Sequence, residues 1–75
     1  MKTVYDVQQL LKRYGSFIYT GDRLGDLELM DMELTELYKW NFISNQDYTF
    51  AKLLLRKQME QLKKETGESD SNGTT

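Results

Sequence analysis

The sequence predicts an all-α fold, a small three-helix bundle with a disordered C-terminal tail, and three observations carry that prediction. Segments 3–14, 22–40 and about 45–66 repeat their apolar residues at helical spacing. The 75-residue chain contains no Pro, which suits long uninterrupted helices. The one strand-like run, Phe17, Ile18 and Tyr19, is too short and isolated to build a sheet.

The first helix is expected over 3–14. Thr3 stands in a capping position, and Asp6 follows three residues later, where a carboxylate favours the N-terminal dipole. At about 100° per residue, Val4, Val7, Leu10, Leu11 and Tyr14 fall within roughly a 120° arc, a clean core face. Tyr5, Gln9, Lys12 and Arg13 fall on the opposite side. Gly15 suits the left-handed position that ends a helix. The connection 15–21, GSFIYTG, carries three large apolar residues, so one or two of them should pack over the core, with Phe17 and Ile18 as the plugs.

The second helix is expected over 22–40, capped by Thr20 or Asp22, with acids crowding its first turns. Leu24, Leu27, Met30, Leu34, Leu37 and Tyr38 form its apolar face. Gly25 lies inside it and offers room for close approach of another backbone. Residues 41–44, NFIS, form a turn with Phe42 and Ile43 tucked in, and Ser44 with Asp47 opens the third helix with a capping signature. Tyr48, Ala51, Leu55, Met59 and Leu62 share one face of that helix, while Lys52, Arg56 and Lys63 make a second stripe. Gly67 ends it. Residues 1–67 therefore form the domain, and 68–75, which hold no apolar residue, are expected to be disordered.

A domain of 8.9 kDa buries only about 60% of its unfolded surface, so its stability margin is thin. There is no Cys and no His, which removes disulfides, thiolate metal sites, the usual general base and the commonest nitrogen ligand. The net charge of −2 excludes a globally basic nucleic-acid binder, but the charge is uneven. Residues 22–36 hold six acids against Arg23 alone, and residues 52–64 hold five bases against Glu60. An acidic helix pairing with basic neighbours explains this, and that reading outweighs a functional field. No apolar run is long enough for a membrane span, and the N-terminus has no signal-peptide pattern, so a soluble cytoplasmic protein is expected.

No nucleophile elbow, phosphate loop or zinc-protease motif is present, so a non-enzymatic protein with no cofactor and no metal is expected. Asp22, Asp26 and Glu33 lie near one helical stripe, but acids in the first turns of a helix need no metal to explain them. The chemically unusual segment is 12–23, KRYGSFIYTGDR. It interleaves cations with flat rings and with glycines that let a ligand approach the backbone, the composition of a single-strand binding surface. A packing explanation of the same residues carries more weight at this level: Tyr14 in the core stripe, Phe17 and Ile18 as plugs, and Asp22 paired with Arg23.

The stretches YDVQQLLKRYGSFIYTGDR (5–23), DLELM (26–30), ELYKWNFIS (36–44) and DYTFAKLLLR (47–56) resemble the YqgQ-like family, short cytoplasmic proteins of Gram-positive bacteria described as a domain of unknown function. The resemblance spans roughly residues 3–62, and the YGxFIYTGDR string is its specific part. It implies an all-helical three-helix fold. It brings no established activity, cofactor or catalytic residue, so no site is carried over from it. The tail after Glu65 matches nothing.

Two functional readings follow from the residues. In the first, single-stranded nucleic acid binds a surface made of Tyr5, Lys12, Arg13, Tyr19, Arg23, Lys52, Arg56 and Lys63, with rings stacking on bases and cations holding phosphates. Its geometric test is whether the two basic groups share one side of the bundle. In the second, the chain is a protein-interaction or regulatory module, including a homodimer, that uses the apolar residues off the core faces: Leu29, Met32, Trp40, Phe50 and Leu53.

Overall fold

The structure is a computed structural model and describes residues 1–65; the expected tail 68–75, the Gly67 stop and the domain end at 67 lie outside the described residues. Three helices follow one another: α1 (Val4–Arg13), α2 (Arg23–Lys39) and α3 (Asn45–Glu65), and no strand occurs among the described residues. Each boundary has a local cause. Thr3 and Asp6 form a reciprocal capping box, in which the Asp6 carboxylate accepts the N–H groups of Lys2 at 2.7 Å and Thr3 at 3.1 Å. Those two bonds, the one from Lys2 first, hold the Asp6 carboxyl below its ordinary pKa.

Both of the first two helices close with a Schellman pattern. At the end of α1, Gly15 N–H reaches Lys12 O and Ser16 N–H reaches Leu11 O, with Gly15 at φ +90°. At the end of α2, Asn41 N–H reaches Tyr38 O and Phe42 N–H reaches Leu37 O, with Asn41 at φ +62° taking the place that Gly takes after α1. At the start of α3, Ser44 Oγ accepts the N–H of Asp47 at 3.0 Å.

The core is one layer of side chains at the axis of the bundle. Val7, Leu10 and Leu11 meet Leu27, Met30, Leu34 and Leu37, and Ile43, Ala51 and Leu55 close the third side. Full burial of one such leucine stabilises by about 1.5–3 kcal/mol, so this short set accounts for most of the driving force in so small a domain. α2 and α3 share the largest interface. α1 has only 10 residues against the 17 of α2, so the segment 15–22 covers part of the flank of α2 that α1 cannot reach.

Four expectations about packing need correction. Ile18 packs against the core, but Phe17 is 73% exposed. Ile43 is buried, but Phe42 is 58% exposed, because the Schellman turn points it outward beside Tyr14. Tyr14 is itself exposed, and its hydroxyl donates to the Phe42 carbonyl at 2.8 Å. A Cβ on Gly25 would meet the Asp22 carboxylate at 2.6 Å, so this glycine makes room for the residue that opens its own helix and not for another backbone.

Candidate nucleic-acid interface

The segment 14–23 separates into residues that hold the fold and residues that do not. Gly15 and Gly21 supply positive φ. Ser16 Oγ donates to Glu33 at 3.0 Å, which ties the loop to α2. Thr20 gives both its N–H and its hydroxyl to Asp26 Oδ1, and its hydroxyl oxygen accepts the N–H of Asp22. Asp22 starts α2 without a side-chain cap bond, and no ion pair joins it to Arg23 among the described residues. Phe17, Tyr19 and Arg23 remain. All three are exposed, and the guanidinium of Arg23 has no partner among the described residues.

Tyr19 and Arg23 stand on a hollow of about 450 Å³ between α1 and the start of α2. Val4, Tyr5 and Gln8 line it from α1, Tyr19 and Gly21 from the loop, and Arg23, Asp26, Leu27 and Met30 from α2. Tyr5 and Tyr19 are 65% and 76% exposed, so their rings are open to solvent. Lys12 lies on the same side of α1, seven residues beyond Tyr5, with its Nζ 5.9 Å from the centre of the Phe17 ring. Four of the eight residues expected on the nucleic-acid surface, Tyr5, Lys12, Tyr19 and Arg23, therefore belong to the α1–α2 flank.

The other four do not join them. Arg13 lines a separate hollow of about 460 Å³ with Met1, Lys2, Asp6, Gln9, Leu10 and Asp47, away from the α1–α2 hollow. Lys52 is taken by α2: its Nζ lies 2.7 Å from Asp31, 3.4 Å from Thr35 Oγ1 and 5.5 Å from the centre of the Tyr48 ring. Arg56 and Lys63 follow four and eleven residues later on the Lys52 stripe, which places them along the α2–α3 flank. The two basic groups thus sit on different sides of α2, and the single surface expected from the sequence is not formed. The cause is the rotation of α3, which turns Lys52 toward the acids of α2.

The apolar residues of the second reading are exposed as expected. Leu29, Met32 and Trp40 face outward on or beside α2, and Phe50 and Leu53 do so on α3. Of the acidic stripe of α2, Asp26 Oδ1 accepts from Thr20 and Glu33 accepts from Ser16. Among the described residues no group of three or more acidic side chains is placed to hold a metal ion, and no helix is long and apolar enough to cross a membrane.

Asp26 is the site residue that the sequence reading passed over. It is 6% exposed, the one buried charged residue among those described. The signal was available, because Asp26 stands four residues before Met30 and eleven before Leu37, on the edge of the core face.

A family model described as YqgQ-like matches residues 1–61. "Uncharacterized protein YqgQ" of Bacillus subtilis (strain 168) is 48% identical over 63 residues, which cover 84% of this chain and 89% of that relative. Neither description states an activity.

Proposed function

We propose that this chain, which belongs to the YqgQ-like family, is a cytoplasmic binding module for short stretches of single-stranded nucleic acid and acts by binding and not by catalysis. The observation that supports this is the α1–α2 hollow. Two exposed tyrosines and an unpaired arginine surround it, and none of the three serves the fold. Exposed rings stack on unpaired bases, and one or two cations hold the neighbouring phosphates. The reduced cation set limits the contact to a few nucleotides. A duplex needs a longer run of phosphate contacts than Lys12 and Arg23 supply, and the acidic outer side of α2 repels its backbone.

The test is titration of a labelled oligonucleotide, single-stranded and duplex, at two salt concentrations. The single strand binds more tightly. Tyr19→Ala weakens it by about 1–3 kcal/mol at either salt concentration. Arg23→Ala weakens it and lowers the salt slope by about 0.7 of a unit, as loss of one phosphate contact on a single strand requires. Arg13→Ala, in the other hollow, leaves the slope unchanged. Absence of binding at micromolar concentration and low salt overturns the proposal.

A second reading rests on the exposed apolar faces of α2 and α3. Acids flank Leu29 and Met32, whereas Phe50 and Leu53 have both signs of charge within a turn, Asp47 and Lys57. Exposed apolar faces of this kind suit contact between copies or with a partner protein. Sedimentation of the chain at rising concentration checks it.

A further inference from the structure

We infer that the α1–α2 hollow holds one base with its N–H edge against Asp26, and that guanine is the base it takes best; this rests on the single-strand reading above. The hollow has three kinds of wall. Val4, Leu27 and Met30 make it apolar at the base, Tyr5 and Tyr19 supply rings at the rim, and Asp26 is its buried charge. Thr20 occupies Asp26 Oδ1 with two donors, and no described residue donates to Oδ2. No described side-chain N or O atom is both buried and unpartnered, so Oδ2 keeps contact with solvent. A carboxylate oxygen held mostly out of water gains from any ligand N–H that reaches it.

The three walls together specify the ligand. Apolar base and rings suit a flat aromatic group. An acceptor with two free lone pairs suits a ring edge with adjacent donors. The cation of Arg23 at the same hollow suits a phosphate and opposes a lysine or arginine side chain, which would otherwise satisfy Oδ2 equally well. A nucleotide has all three properties. Guanine alone among the common bases presents two donors side by side, N1–H and the N2 amino group. Adenine and cytosine set a ring acceptor beside their amino group, and thymine and uracil flank N3–H with two carbonyls, so each brings an acceptor toward the carboxylate. Gln8, on the same hollow, carries an amide N–H of the type that guanine O6 accepts.

The experiment uses the full chain and deoxythymidine oligomers that differ at one central base: guanosine, inosine, adenosine or thymidine. The guanosine oligomer is expected to bind at least about tenfold more tightly than the thymidine and adenosine oligomers, with inosine, which lacks the N2 amino group, in between. Asp26→Asn is expected to bring the affinity for the guanosine oligomer down to that for the thymidine oligomer. The base series needs no variant, so the inference stands or falls even if that variant does not fold. Equal binding of all four oligomers overturns the guanine assignment and leaves the single-strand reading in place. No binding of any oligomer overturns both.

Discussion

On the flank that α2 shares with α3, two tyrosines, a lysine and an aspartate close on one another. On the flank it shares with α1, two tyrosines, an arginine and an aspartate stand around open space. Tyr38 and Tyr48 stack with ring centres 4.1 Å apart and planes 9° apart, and Lys52 bridges from Tyr48 to Asp31. Tyr5 and Tyr19 have no ring partner among the described residues, and Asp26 faces a hollow with Arg23 unpaired beside it. The side-chain chemistry of the two flanks is nearly the same. The difference lies in the packing: Tyr38, Tyr48, Lys52 and Asp31 engage one another across the α2–α3 flank, whereas the α1–α2 hollow stays open although the first turns of α1 line it. Residue types alone therefore do not mark a binding surface; what marks one is the set of groups left over after the fold has used the rest.

Both flanks rest on the line of α2 that faces the axis, so the largest effect is expected there. Leu34 is fully buried at its centre. Leu34→Ala should destabilise by about 2–5 kcal/mol in a chemical denaturation experiment, a large part of the total stability of a small domain. A loss of only a few tenths would mean that the flanks are held by something other than this line, and their comparison would lose its common base.

The next effect separates the flanks directly. Tyr48→Ala removes a stacked pair, worth about 0.5–1.5 kcal/mol beyond the area it buries, and should lower stability by at least about 1 kcal/mol. Tyr19→Ala should stay within about 0.5 kcal/mol, because an exposed ring without a partner contributes little. Equal losses in thermal melts of the two variants would break the contrast and make Tyr19 a packing residue.

The helices were legible because their causes are local. The Thr3–Asp6 box, the glycine after α1 and the 3.6-residue period of Val7, Leu10 and Leu11 all act within a few residues. What was not legible depends on how one helix is rotated against another. Lys52 belongs to a basic stripe whether it meets solvent or Asp31, and only the packing of α3 decides between them. Phe17 and Phe42 are large and apolar, which argues for burial, yet each follows a helix-ending turn that fixes its direction before the core can claim it. Tyr14 sits at the last position of a core stripe, where its hydroxyl finds the Phe42 carbonyl and keeps the ring at the surface. Of the candidate site, Tyr5, Lys12, Tyr19 and Arg23 came from composition alone. Asp26 is masked in the sequence, because the helix dipole accounts for any acid in a first turn and only its place on the edge of the core face sets this one apart.

The smallest effect concerns the closed flank. The side chains of Lys52 and Asp31 are 20% and 31% exposed, so their attraction is only partly screened, and holding both in one geometry costs side-chain entropy. A double-mutant cycle of Lys52→Ala and Asp31→Ala should return a coupling of about 0.5–1 kcal/mol, which falls as salt is added. The same Lys52→Ala variant carries the sharper test. A lysine whose charge Asp31 already offsets has no counterions of its own to release from a phosphate backbone, so its removal should leave the salt slope of oligonucleotide binding where it was. Arg23→Ala, on the open flank, should lower that slope. If Lys52→Ala lowers it as much as Arg23→Ala does, the ion pair opens to admit phosphate, and the closed flank is part of the binding surface after all.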